Sequence, residues 1–227
     1  MPTTFTWYGH ATCSFRIDET HVLVDPFFSS NTQASTDGRE LQANYILVSH
    51  GHGDHTEDVE PIAKRTGATI ISNDEIARYY AARGFKTHGQ HIGGGFHHPF
   101  GYLKLTQAAH ASGFPDGFPG GAASGFLLTT PEGKKIYLAC DTGLFGDMEL
   151  IGNEGVDFAV LPIGDNYTMG PDDALLAVKL LRPKLVMPYH YSTWEVIQQD
   201  PQAWVERVRK ETRAQATLLQ PGDSLEV

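Results

Sequence analysis

Near the N-terminus, apolar and polar residues alternate in four short runs, TFTWYG, TCSFRI, HVLVDP and YILVSH. A period of two is the mark of strands with one buried face, and the first three runs are close enough for a meander of hairpins. The pattern changes after residue 55. TEDVEPIAKRTG carries acid early, base late and a glycine stop, and SNDEIARYYAARG repeats that layout with Ser72 or Asn73 as its cap. Both read as helices, and they flank the short strand ATII.

From residue 88 to 130 the chain is rich in glycine and proline, and only YLKLTQA and GFLLTT read as strands; the rest is expected to be loop. KKIYLACD and VDFAVLPIGD are buried-strand runs that each end in aspartate. PDDALLAVKLLRP opens at a proline-plus-acid turn and predicts a helix that stops before Pro183. KLVMPYH is a further strand. Asp200 caps the helix PQAWVERVRKETR, with Trp204, Val205 and Val208 on one face, and ATLLQPGDSLEV predicts a closing hairpin. Strands, then alternation, then strands and alternation again predict two β-layers with helices outside, a four-layer αββα sandwich of the α/β class. The 227 residues suit one domain spanning 1–227.

Composition narrows the function. Seventeen basic residues against 27 acidic give a formal net charge of -10, a surface that repels phosphate backbones, so no nucleic acid is expected as a partner. No run of eighteen apolar residues occurs and MPTTFTWYGH lacks the regions of a signal peptide, so the expectation is a cytoplasmic chain with no membrane partner. Cys13 and Cys140, the two cysteines, form no disulfide framework and have no CxxC spacing; each reads as a small buried apolar side chain.

Eleven histidines are the compositional oddity. In LVSHGHGDHTEDV, four of six consecutive residues are His50, His52, Asp54 and His55, with Gly51 and Gly53 between them. The glycines are expected to supply positive-φ backbone that folds these side chains toward one point. Imidazole and carboxylate suit zinc, manganese or iron, but four groups do not saturate two ions. His110 after YLKLTQAA, Asp141 after IYLAC and His190 after LVMPY put a ligand-type residue at three further strand ends, as a site at one rim of a β-layer requires.

HxHxDH followed by single His, Asp and His residues after strands resembles the metallo-β-lactamase superfamily over nearly the whole chain. The segments GHATCSFRI, VLVDPF, SHGHGDH, AAHASG and PIGDNYTMGPDDA resemble a bacterial family of metal-dependent hydrolases related to the L-ascorbate-6-phosphate lactonases and, more distantly, to the phospholipase D acting on N-acyl phosphatidylethanolamines. The resemblance implies that His50, His52 and His110 hold one divalent transition ion, that Asp54, His55 and His190 hold a second, and that Asp141 bridges them; zinc is the first choice, manganese or iron the alternatives. Two such ions would give a hydroxide nucleophile, with Asp54 placed to orient it and take its proton and His10 placed to protonate the leaving group; the acidic surface and short chain then favour a small-molecule ester, lactone or phosphodiester as substrate. A nuclease or other phosphodiesterase acting on nucleic acid, or a metal-dependent binding protein without catalysis, are the alternative readings.

Other polar residues carry weaker expectations. His10 ends the first strand and is expected to face the site, the alternative being a core histidine bonded to backbone. Asp25 is placed to accept a hydrogen bond from the far ring nitrogen of a liganding histidine, or to start the turn at Pro26. Asp165, Asn166 and Thr168 either bind substrate or form the turn into the next helix. His97 and His98 read as loop histidines outside the metal shell, and His21, His88 and His91 as surface or turn residues. The Gly113–Gly121 loop either covers the site or packs on another subunit, and the lactonase relatives imply a homo-oligomer.

Overall fold

The computed structural model describes residues 2–227. β1 (Thr4–Gly9), β2 (Thr12–Ile17) and β3 (Thr20–Val24) form the antiparallel meander their alternation predicts, and β4 (Tyr45–Leu47) pairs parallel to β3. There follow α1 (Gly53–Thr56), α2 (Val59–Thr66), β5 (Thr69–Asn73), α3 (Asp74–Ala81) and β6 (Thr87–Gln90). Next come β7 (Gly95–His98), β8 (Gly101–Gln107), β9 (Ser124–Thr129), β10 (Lys135–Leu138), α4 (Met148–Asn153) and β11 (Phe158–Pro162). The chain ends with α5 (Pro171–Leu181), β12 (Leu185–Tyr189), α6 (Pro201–Glu211), β13 (Gln215–Ala216) and β14 (Ser224–Glu226). One sheet has the order β14-β1-β2-β3-β4-β5-β6, the other β13-β12-β11-β10-β9-β8-β7.

The two sheets share one core. Phe5 of the first meets Phe158 of the second edge-on at 5.2 Å, and Phe15 lies 5.3 Å from Phe5. Val59, Ile62, Ile76 and Tyr80 from α2 and α3 pack on Leu23, Ile46 and Ile70 of the first sheet. Trp204, Val205 and Val208 of α6, with Ala174, Leu175 and Val178 of α5, join the core on the second. The layers are therefore αββα, as the order of elements predicts.

Three expectations change. The closing hairpin does not form: β13 pairs parallel with β12, whereas β14 pairs antiparallel with β1 in the other sheet. The turn between them docks on β1, with Gly222 N donating to Trp7 O and Trp7 N to Asp223 O, so the chain crosses from sheet to sheet. The glycine-rich middle contains β6 and β7, which occupy sheet edges; β7 buries almost nothing and therefore has no apolar alternation to read. The helix expected over TEDVEPIAKRTG is cut short at its start, because Asp58 accepts from Phe28 N, Ser29 N and Ser29 Oγ, while Glu57 accepts from Ser30 N and Oγ.

Asn73 is the cap of α3, accepting from Ile76 N at 2.8 Å, and its amide also donates to Gly120 O (2.7 Å) and Ala122 O (2.8 Å). One side chain thus starts a helix and ties down the 113–122 loop. Replacing it by alanine removes a cap and leaves two carbonyls unpaired, which should cost about 2–3 kcal/mol. Urea unfolding of Asn73→Ala measures this directly; a loss below about 0.5 kcal/mol would mean the three bonds contribute nothing net.

Candidate metal centre

The site forms where strand ends of both sheets meet. His10 follows β1, Asp25 follows β3 and His50 comes soon after β4, while His110, Asp141 and His190 come soon after β8, β10 and β12. His10 (φ 51°), Asp25 (45°), Cys140 (54°) and His190 (52°) all adopt left-handed backbone, which breaks the strand alternation at the rim. For residues other than glycine that conformation costs on the order of 1 kcal/mol each, and such residues concentrate at functional sites. His190 N donates to His10 O at 3.0 Å, stitching the two sheets together there.

The predicted ligands converge in two groups. His50 Nε2 lies 2.9 Å from His52 Nδ1, and His110 Nε2 lies 3.3 Å from that same atom. In the other group, Asp54 Oδ2 is 3.5 Å from His55 Nε2 and 4.0 Å from His190 Nε2, with His10 Nε2 at 3.0 Å. Asp141 Oδ2 touches both, 3.6 Å from His110, 3.4 Å from His55 and 3.1 Å from His190. His55 Nε2, Asp141 Oδ1 and both ring nitrogens of His190 are buried without a hydrogen-bond partner. Buried polar atoms are ordinarily satisfied, and divalent ions between these nitrogens and oxygens would satisfy them. The donor set fits zinc, manganese or iron.

The two glycines do something other than expected. Neither Gly51 nor Gly53 has positive φ. A Cβ on Gly51 would lie 3.0 Å from Phe114 Cδ2 and 3.2 Å from Gly113 C, and one on Gly53 would lie 3.4 Å from Pro115 Cγ. They allow close packing of the 113–115 loop, and the redirection of Asp54 and His55 comes from the helical turn α1 that begins after His52. Phe114 is itself buried and stacked on Tyr79 at 3.8 Å, so the loop folds onto its own chain behind the ligands.

Asp25 is buried and collects three donors: Ser49 N at 2.7 Å, Ser49 Oγ at 2.6 Å and His55 Nδ1 at 2.9 Å. The Ser49 hydroxyl has one proton, which goes to Asp25; toward His50 Nδ1, at 2.9 Å, it can only accept. Both His50 and His55 are thereby held as tautomers whose Nε2 lone pair faces the centre. One carboxylate orients a histidine in each group.

His10 lies behind Asp54. It is fully buried, its Nε2 donating to Asp54 and its Nδ1 2.8 Å from Thr193 Oγ1. Burial and then the nearby His190 push its pKa down to about 3, against the pull of Asp54. It is therefore a neutral donor with both nitrogens engaged, and it does not line the cavity over the site. This differs from its expected role as an acid toward the leaving group. Around it, burial works to raise the carboxyls of Asp54 and Asp141, yet histidines hold both well below the usual range: His55 and His10 at Asp54, His190 and His55 at Asp141. His50 is pushed down by burial and His55, while burial of His55 is outweighed by Asp141, Asp54 and Asp25, which raise it.

With this geometry in view, comparison with known proteins is direct. Residues 20–191 match the family described as the beta-lactamase superfamily domain. The UPF0173 metal-dependent hydrolase of Desulforamulus reducens is 48% identical over 98% of this chain and 99% of its own. The chain belongs to this family. Another UPF0173 metal-dependent hydrolase, from Thermus thermophilus, is 43% identical over 96% of both chains. Among solved structures, Igni18, a metallo hydrolase from the archaeon Ignicoccus hospitalis, superposes with a TM-score of 0.92 at 32% identity, covering 100% of this chain and 99% of that one.

In this UPF0173 protein, sequence reasoning missed several residues at the site. Ser49 and Thr193 act through the histidines they touch, and nothing in their spacing marks them. Tyr167, Trp194 and Val196 line the cavity over the ligands. Of the two roles expected for Asp165, Asn166 and Thr168, the structure displays the turn: Asp165 Oδ1 accepts from Asn166 N, both have φ above 50°, and Thr168 Oγ1 donates to Met169 O. Tyr167 is the one that reaches the cavity wall. His97 and His98 lie on β7 and His88 on β6; His98 stacks on Phe100 and bonds Gln90, and none joins a metal-capable group among the described residues.

Proposed function

We propose that this metal-dependent hydrolase cleaves an ester, lactone or phosphodiester bond in a small molecule, using two divalent transition ions. His50, His52 and His110 would hold one, Asp54, His55 and His190 the other, with Asp141 shared and zinc ahead of manganese or iron. The observation that carries this reading is Asp141 Oδ2, which lies within 3.6 Å of ring nitrogens from both groups. Ions bound there would act as Lewis acids, able to lower the pKa of water from ~15.7 to about 7.

The chain's own residues supply the rest. Asp54 and Asp141 both line the cavity, and Asp54 is the more open of the two, its side chain 24% exposed against 3%, with the His10 N–H fixing one of its oxygens. It can receive the proton of the attacking water, and His10, supported by Thr193, positions it. The αββα walls exclude bulk solvent from Asp141 and His190, both buried.

The net charge of -10 argues for a small-molecule substrate over nucleic acid. Cys13 and Cys140 are free and buried, which suits the cytoplasm, and no helix among the described residues is long and apolar enough to cross a membrane. We also infer a homo-oligomer, by the resemblance to the lactonases, with the 113–121 loop as its candidate contact.

Metal analysis of the purified protein, paired with a panel of lactones, esters, thioesters and phosphodiester reporters, tests the reading. Two transition ions per chain and turnover abolished by chelation are expected. Protein without transition metal would refute it, and salt-sensitive RNA cleavage would replace it with a nuclease.

A further inference from the structure

Eight large apolar side chains are exposed among the described residues, and three of them, Tyr167, Trp194 and Val196, line one cavity of about 400 Å³ over the metal-ligand candidates. Such clustering at a single mouth marks a surface meant to be covered. The frame beneath is fixed. Trp194 follows Thr193, whose hydroxyl bonds His10, and its ring packs edge-on to His10 at 4.8 Å. Tyr167 stands on the turn made by left-handed Asp165 and Asn166, where Met169 N donates to Thr142 O at 2.8 Å. Gln199 Nε2 donates to Gly164 O at 3.1 Å, clasping the two loops together.

The wall is equally informative in its charges. None of the seventeen lysines and arginines lines this cavity, so beyond the proposed ions themselves a phosphate would find no side-chain cation of the kind that ordinarily selects it over a neutral group. Apart from the ligand candidates, its side chains offer just the Tyr167 hydroxyl and the Trp194 indole N–H, too few to satisfy a polyhydroxylated ring.

We propose that the substrate is an uncharged carboxylic ester or lactone bearing a flat or extended apolar group, covered by Trp194 and Tyr167. Phosphomonoesters and sugar lactones are thereby disfavoured. In the reaction the oxygen of water bonds to the acyl carbon, the acyl C–O bond breaks, and the released alkoxide takes the proton. This rests on the hydrolase reading for the bond cleaved, whereas the preference of the cavity stands apart from it.

The test separates the two. Calorimetric titration of the metal-loaded protein with benzohydroxamate and acetohydroxamate, which share a head group, reads the cavity without turnover. We expect benzohydroxamate to bind at least tenfold more tightly. Trp194→Ala and Tyr167→Ala should each bring the ratio below threefold with metal content intact, and Trp194→Phe should keep most of it. Equal affinities in the parent protein, or ratios unmoved in both alanine variants, would overturn the proposal. In parallel, kcat/KM should rise at least tenfold from p-nitrophenyl acetate to the hexanoate, with phenyl phosphate and gluconolactone far slower. A hydroxamate preference without turnover of any ester or lactone would sink the hydrolase reading and leave the cavity assignment standing. Ester turnover indifferent to the acyl group would sink the cavity assignment alone.

Discussion

A protein carrying His50→Ala together with His52→Ala is expected to lose at least one of the two metal ions proposed for the site and to fall in kcat/KM by on the order of 10³-fold or more, the scale of losing preorganised charge stabilisation at a reacting oxygen. The two rings supply two of the three nitrogens in their group, leaving His110 alone there. His50 is fully buried, with Nδ1 committed to Ser49, so its Nε2 is the ring nitrogen left for an ion. Metal analysis before and after dialysis gives the stoichiometry, and a melt separates folding from binding. A bound ion stabilises the native state by mass action, so chelator should lower the Tm of the parent protein markedly and that of the variant much less. Two ions retained per chain in the variant would remove these histidines from the site.

How much of this was legible beforehand depends on whether the cause lies near its effect in the chain. HxHxDH is local, and His110, Asp141 and His190 each follow an apolar run whose strand character shows in its own residues, so the side chains that converge and the two-sheet sandwich could be read directly. The reason for Gly51 could not: its constraint is Phe114, more than sixty residues away, and glycine looks the same whether it frees a torsion or makes room. β6 and β7 were hidden because an edge strand with an exposed face needs no apolar alternation. The final twelve residues contain a proline-glycine turn that fits a hairpin, and only the docking of that turn on Trp7 sends β14 to the other sheet. Ser49 and Thr193 are short hydroxyl side chains whose roles exist only through the histidines they face. Tyr167 lies between polar residues whose chemistry is the more conspicuous in the sequence, and its place on the cavity wall shows only once the turn is folded.

Asp25→Asn should have the second largest effect, although Asp25 touches no substrate. Asparagine keeps the volume and accepts left-handed backbone, so the φ of 45° is not what the change perturbs. What changes is donor count. The carboxylate accepts from Ser49 N, Ser49 Oγ and His55 Nδ1, and an amide in its place offers one oxygen and turns an NH₂ toward groups that also donate. Whichever way the amide faces, its NH₂ meets a donor. At the Oδ2 position it opposes both Ser49 Oγ and His55 Nδ1, releasing the tautomers of His50 and His55, and at the Oδ1 position it opposes Ser49 N and pushes away the backbone that leads into His50. A single supporting partner of a ligand histidine is worth about 10–100-fold in metal affinity; with one ligand disturbed in each group, a loss of about 100-fold or more is expected, felt at both ions. Titration of metal-stripped protein with zinc against a competing chelator measures it. The signature that separates this from simple misfolding is recovery: excess zinc should restore most of the activity of Asp25→Asn, since Asp54, His10 and the cavity are untouched. Parent-like affinity at both ions would show that Asp25 holds the turn before Pro26 and nothing more.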